Sequence, residues 1–289
     1  MKIEIAKQAG FCEGVERAYR IAINSAKAGR PVFMLGNLVH NQPVVERLKN
    51  YGVKTISAIS SIPPQTNGIL LISAHGVEPA VYQEAAKLKL EILDTTCPWV
   101  KQAQKIAQQL KAEGRRVIIF GDKGHPEVKG LIGWSGGEGR VVESEEEIAA
   151  LQLDPEEKIG ILSQTTQAAD RFARVVSALK AQVKDMIEYN TICGATSKRQ
   201  NAAMELAKRV DLMLVVGDKM SANTKRLTEL CGLTGTETHQ IQTVNELNQQ
   251  WLEGKAKAGI TAGASTPEWI INDVISALKA LPSSLNSTF

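Results

Sequence analysis

A cysteine recurs three times in the same setting, and no other feature restricts the fold as much. Cys12, Cys97 and Cys193 each precede a stretch with helical spacing of apolar residues, Gly14 to Lys27, Val100 to Lys111 and Arg199 to Arg209. Each stretch leads into an apolar run that stops at a glycine: Val32 to Gly36, Val117 to Gly121 and Leu212 to Gly217. From cysteine to glycine the count runs 12 to 36, 97 to 121 and 193 to 217, an interval of 24 every time. Polar Asn37, Asp122 and Asp218 follow the glycines directly, and four residues past them stand His40, His125 and Ser221. Two element types and one gap length agreeing in three places mark internal repetition.

A third apolar run in each copy ends in small polar residues: Ile69 to His75, Ile159 to Thr166 and Gly259 to Ser265. Before it, Ser57, Ser144 and Thr243 are candidate caps of short helices, the last two with a glutamate three residues on. Strands alternating with helices, in units too long for a solenoid, predict an α/β fold of three similar small parallel-sheet domains. The expected boundaries are 1–96, 97–192 and 193–281, with 282–289 as a loose tail. In a pseudo-threefold arrangement the three thiolates would converge on one point, and ligand groups would gather beyond the carboxyl ends of the strands.

The residues around the cysteines carry chemistry. Pro98 fits the first position of a helix, which puts Cys97 at the N-cap, where the helix dipole favours a thiolate. Gly10 and Gly14 let the backbone come close to whatever Cys12 holds. Three thiolates without a nearby fourth ligand fit either an open zinc site or an iron–sulfur cluster with one free iron. Cys231 has no counterpart in the other copies and reads as a small core hydrophobe. His40, His75 and His125 end strands on one predicted face, whereas His239 lies in a polar segment and reads as structural. Glu127 shares a turn with His125. Ser221, Asn223, Thr165, Thr166 and Ser265 could each cap a helix, and together they offer neutral donors suited to an anion such as phosphate.

Composition excludes several classes. With 43% hydrophobic residues the 289-residue chain can bury real cores, and its net charge of +3 is scattered among acids rather than gathered into a nucleic-acid footprint. No apolar run reaches membrane-spanning length and the start lacks a signal-peptide core, so a soluble, cytoplasmic protein is expected. Four widely spaced cysteines do not form a secreted disulfide framework. No Gly-x-Gly-x-x-Gly follows a strand, so electrons for any redox reaction must come from outside. Lys198 and Arg199 are read as a solvated helix start, with an acidic partner's landing patch as the alternative.

The motifs Gly10-Phe11-Cys12-Glu13-Gly14-Val15, Val39-His40-Asn41, Ser73-Ala74-His75-Gly76-Val77, Thr96-Cys97-Pro98, Gly124-His125-Pro126-Glu127, Gln164-Thr165-Thr166, Thr191-Ile192-Cys193 and Thr261-Ala262-Gly263-Ala264-Ser265 span nearly the whole chain. Together they resemble the LytB (IspH) family of 4-hydroxy-3-methylbut-2-enyl diphosphate reductases. The resemblance implies a 4Fe-4S cluster held by Cys12, Cys97 and Cys193, with the fourth iron facing the substrate. It also implies the last step of the non-mevalonate isoprenoid pathway, with ferredoxin or flavodoxin as electron donor. By motif, His40, His75, Ser221, Asn223 and Ser265 would hold the diphosphate with His125 close by, Glu127 would deliver a proton, and Thr165 would position the hydroxyl that leaves. Where the family usually has Ser-Ser-Asn this chain has Ser221-Ala222-Asn223, which implies somewhat weaker substrate binding. On the thiolates alone, a zinc-dependent hydrolase of a phosphorylated substrate and a cluster-bearing sensor are the rival readings; the sensor would want a concentrated basic face, and none is found.

Overall fold

The computed structural model describes residues 1–280, so the expected tail, 282–289, lies outside the described residues. Along the chain β1 (Lys2–Ile5) leads to α1 (Glu13–Ala26), β2 (Val32–Leu35), α2 (Gln42–Asn50), β3 (Val53–Ile56), β4 (Ile69–Ile72), α3 (Pro79–Lys87) and β5 (Glu91–Asp94). The middle portion holds α4 (Pro98–Ala112), β6 (Arg116–Phe120), α5 (Pro126–Trp134), β7 (Arg140–Val142), β8 (Lys158–Ser163), α6 (Ala169–Lys180) and β9 (Asp185–Tyr189). The last portion holds α7 (Gly194–Ala207), β10 (Leu212–Val216), α8 (Ala222–Gly232), β11 (Glu237–Ile241), β12 (Lys257–Ala262) and α9 (Glu268–Ala280).

These strands form three four-stranded sheets, all parallel, with one shared order: β3-β2-β4-β5, β7-β6-β8-β9 and β11-β10-β12-β1. The third sheet departs from the sequence expectation. Lys2–Ile5, expected in the first repeat, pairs with β12 in the register Ile5↔Ile260 and fills the place that β5 and β9 take in the other sheets. Each sheet therefore ends in the strand that carries the next cysteine, and the chain's first strand closes its last sheet. The intervals 1–96, 97–192 and 193–281 remain our proposal for the repeat in sequence.

The chain divides into two compact units, Met1–Val15 with His40–Val44 and Gly194 onward, and Glu16–Val39 with Val45–Cys193. In the larger unit, alternation along β6 sends Val117 and Ile119 to one face and Ile118 and Phe120 to the other. The first pair packs on Ala103, Ala107 and Leu110 of α4, the second pair among Phe172, Val175 and Leu179 of α6. Central strands buried on both faces explain their unbroken apolar runs. In the smaller unit Met213 and Val215 pack on α7 and α8, and Leu212, Leu214 and Val216 on α9. Cys231 lies in that core, where burial pushes its thiol up to about 12, an inert group as expected.

Candidate active site

Each cysteine is held by the same backbone bond. Cys12 N donates to Ala264 O at 3.2 Å, Cys97 N to Ala74 O at 3.0 Å and Cys193 N to Thr165 O at 2.9 Å. All three acceptors stand two residues past the end of a third-run strand, β12, β4 and β8. Further pins precede the second and third cysteines. Asp94 and Asn190, three residues ahead of Cys97 and Cys193, accept the N–H two positions on at 2.9 and 3.1 Å. Thr95 and Thr191 bond the carbonyls of Ile72 and Ser163. Cys97 is the N-cap of α4 with Pro98 after it. None of the three is in a disulfide among the described residues, and all are partly exposed. Thiols at strand ends, none tied in a disulfide, fit a soft metal or an iron–sulfur cluster.

The repeat glycines have a common task as well. Gly36, Gly121 and Gly217 donate their N–H to Ile56, Val142 and Ile241, at 2.9, 3.0 and 2.8 Å, which ties the turn to the edge strand. A Cβ at Gly121 would come within 2.8 Å of Gln164 Oε1, and one at Gly217 within 2.6 Å of Thr224 Oγ1. Only glycine lets the turn lie that close to the next strand end and helix.

In the larger unit the turn after Gly121 delivers an acid. Pro126 opens α5, His125 is its N-cap, and the His125 ring accepts the Glu127 N–H on Nδ1 at 3.2 Å. A neutral His125 therefore carries its proton on Nε2, and its ring meets that of His75 edge-on at 5.2 Å. Glu127 is 2% exposed. Thr165 N donates to its Oε1 at 2.6 Å and Thr165 Oγ1 to its Oε2 at 2.9 Å. Burial pushes Glu127 up to about 7; the two bonds from Thr165 oppose this and Asp122 adds to it. The carboxyl group thus gains and loses a proton near neutrality.

In the smaller unit the turn after Gly217 delivers neutral groups. Ser221 caps α8 by accepting the Thr224 N–H at 3.3 Å, and Ser265 Oγ lies 3.4 Å from Ser221 Oγ and donates to His40 O at 3.1 Å. Asn223 is 4% exposed, yet neither its amide nitrogen nor its amide oxygen has a partner among the described residues. Two unpaired buried groups on one side chain cost stability unless a ligand meets them. Burial lowers the pKa of His40, with Asp218 opposing and Lys225 adding to the shift.

A family model described as LytB protein matches residues 3–279. The chain belongs to the LytB family. A 4-hydroxy-3-methylbut-2-enyl diphosphate reductase of Geobacter metallireducens is 43% identical over 99% of this chain and all of its own length, and one of Geobacter sulfurreducens is 41% identical over 96% of this chain and 97% of its own. Among solved structures, the E-1-hydroxy-2-methyl-but-2-enyl-4-diphosphate reductase of Plasmodium falciparum superposes with a TM-score of 0.91 at 30% identity, covering 99% of this chain and 90% of that one. A second, described as the terminal enzyme of the non-mevalonate pathway, gives 0.69 at 39% identity over 97% of this chain and all of that one. LytB proteins are iron–sulfur enzymes.

The sites of this LytB-family chain were only partly visible in sequence. The structure gathers His75, His125, Glu127 and Thr165 in one unit and His40, Ser221, Asn223 and Ser265 in the other. Arg199 corrects an expectation: it is 2% exposed, neither a solvated helix start nor a landing patch, and its guanidinium bonds Gln8 O and Ala262 O, bracing the loop that leads to Cys12. Gln164 has a structural role that its place in the Gln164-Thr165-Thr166 motif does not reveal. Its Oε1 accepts from Asp122 N at 2.8 Å and its Nε2 donates to Thr166 Oγ1 at 2.9 Å, joining the acid-bearing turn to the β8 end. Its station in the repeat is held by Ser73 and Gly263 elsewhere, and that irregularity was the available signal.

Proposed function

We propose that this chain reduces 4-hydroxy-3-methylbut-2-enyl diphosphate to isopentenyl and dimethylallyl diphosphates, the last step of the non-mevalonate isoprenoid pathway. The observation that carries the reading is the triple backbone bond behind Cys12, Cys97 and Cys193, in a chain of the LytB family. Those three cysteines would hold a 4Fe-4S cluster with one iron left open. When bound, such a cluster supplies single electrons and a Lewis-acidic iron. In the balance of the reaction the allylic C–O bond breaks, a C–H bond forms, and two electrons and two protons are consumed as the hydroxyl leaves as water.

The protein's own groups divide this work. Ser221, Asn223, Ser265, His40 and His75 bind the diphosphate, with His125 close by; the unpaired Asn223 amide and the α8 N-terminus supply donors that need no lysine or arginine. Glu127 stores the proton that converts the leaving hydroxyl to water, and its pKa near 7 lets it hold that proton at neutral pH. Thr165, bonded to both oxygens of Glu127, orients the acid and the hydroxyl it serves. The electrons come from a ferredoxin or flavodoxin. Among the described residues no helix is long and apolar enough to cross a membrane, and cysteines held outside disulfides suit the reducing cytoplasm.

The test is iron and acid-labile sulfide per chain on protein purified without oxygen, followed by turnover with a reduced donor. About four of each per chain is the result this cluster requires. Stoichiometric zinc without sulfide would overturn the reading in favour of a hydrolase.

A further inference from the structure

We propose that the exposed Trp99 and the helix α4 that carries it form the landing surface for an acidic electron-carrier protein. The inference rests on the reading that Cys97 ligates a redox cluster, and it names where the electrons enter. Trp99 is 46% exposed, one of the few large apolar side chains on the surface among the described residues. It is the second residue of α4, two positions after Cys97. Long side chains on a helix lean toward its N-terminus, so the indole belongs to the first turn of α4, the end that Cys97 caps. An exposed aromatic side chain is the kind of anchor that protein interfaces use, since it buries much area at little entropic cost, and this one stands two residues from a proposed cluster ligand.

Charge names the partner. The sequence of α4, PWVKQAQKIAQQLKA, contains Lys101, Lys105 and Lys111 and no carboxylate. Lys101 neutralises Asp94 at 2.8 Å, and burial, which would raise the Asp94 pKa, is outweighed by Lys101 and Thr96, so that carboxyl stays a paired anion. Lys111 pairs with Glu138 toward the far end of the helix. Lys105 is exposed and has no ionic partner among the described residues. A helix with no carboxylate of its own, one unpaired lysine and an aromatic tip matches an acidic carrier whose own redox centre lies near its surface. Lys198 and Arg199, the basic pair legible in the sequence, do not serve, because Arg199 is buried in the fold.

The experiment compares the cluster-loaded enzyme with its Trp99→Ala and Lys105→Glu variants, using a reduced acidic 2Fe-2S ferredoxin as one donor and reduced methyl viologen as the other. Ferredoxin affinity is measured separately by calorimetry across a salt series. Trp99→Ala is expected to raise both the ferredoxin Kd and its KM about tenfold or more, the size of an interface anchor. Lys105→Glu weakens binding less and flattens its salt dependence. Turnover with methyl viologen, which needs no docking surface, stays unchanged in both. Unaltered ferredoxin Kd in the two variants overturns the proposal, as does a Trp99→Ala loss of equal size with both donors. Wild-type enzyme that turns over with neither donor overturns the reductase reading instead, while the calorimetry still decides the surface.

Discussion

Glu127 and Asn223 occupy the same station in two repeats, the second residue of the helix that follows the repeat glycine. Both are buried. The strand end across from Glu127 supplies Thr165, whose N–H and hydroxyl satisfy both carboxylate oxygens. The matching strand end in the third repeat, fixed by the same bond to its cysteine, supplies Ala264, which has no hydroxyl. Among the described residues, the Asn223 amide finds no hydrogen-bond partner. One scaffold has thus been given two kinds of buried polarity: a group satisfied by the protein, suited to holding a proton, and a group left open, suited to receiving a ligand. Keeping the open group costs stability in the ligand-free protein, and binding returns it.

The largest effect should follow from removing the proton while keeping the shape. Glu127→Gln is expected to lower turnover by about 10²- to 10⁴-fold, the range for a lost acid–base group, with substrate Kd little changed. Wild-type turnover should fall as pH rises through about 7, while the residual activity of the variant loses that dependence. Stability carries the same signature. The folded-state pKa lies above the ordinary 4.5, so the folded protein holds this proton more tightly than the unfolded chain. That stabilisation is full below about 4.5 and is lost as pH rises through about 7, worth at most about 3 kcal/mol. Thermal unfolding of wild type and variant at several pH values reads it directly. A Glu127→Gln enzyme with full turnover would remove the proton-donor role.

Asn223→Leu tests the other half. It should weaken binding of substrate or inorganic diphosphate by roughly 10- to 100-fold, the value of hydrogen bonds to a charged group, while leaving the ligand-free protein as stable as before or more so. Calorimetry and thermal unfolding on the same samples check the two signs. A variant that is less stable and binds normally would mean that Asn223 serves the fold.

How much of this could be read from the sequence follows from the range of the interactions. The cysteines, glycines and central strands were legible because their spacing is local and repeated. The membership of Lys2–Ile5 in the third sheet was not, because its partner Lys257–Ile260 lies at the other end of the chain and a short strand shows no preference among equivalent edges. The outer strands β3, β7 and β11 were missed because only part of each is buried, as in Glu237-Thr238-His239-Gln240-Ile241. Ser144 and Thr243 do precede short 3-10 turns, but their side chains make no cap; Glu147 and Glu246 bond the N–H groups of Glu143 and Gln242 instead. Site residues were visible as types, whereas which of them are satisfied depends on pairs such as Glu127 and Thr165, 38 residues apart.

Thr165→Val sharpens the comparison by making the satisfied site more like the open one. The backbone N–H of Thr165 still donates to Glu127 Oε1, but Oε2 loses its partner. Ligand-free stability should drop by about 1–3 kcal/mol, the opposite sign to Asn223→Leu, and the Glu127 pKa should rise further because a bond that favours its charged form is gone. Thermal unfolding and the pH profile of turnover report the two effects. Equal stabilities for the Thr165 and Asn223 variants would erase the distinction between the sites.

The smallest effect concerns Ala222, the first residue of α8, which stands between Ser221 and Asn223 where the family motif usually carries a second serine. A hydroxyl there adds one donor at the helix N-terminus proposed to receive the diphosphate, and a hydrogen bond of that kind is worth about 1 kcal/mol, or roughly fivefold in affinity. Ala222→Ser should therefore lower the KM by about that factor with kcat unchanged, since the diphosphate is held alike in ground and transition states. Stability of the ligand-free enzyme should not move, because a serine at this position can turn its hydroxyl to water. If steady-state kinetics shows the same KM, the diphosphate lies beyond reach of residue 222, and the Asn223 amide must carry that side of the ligand without it.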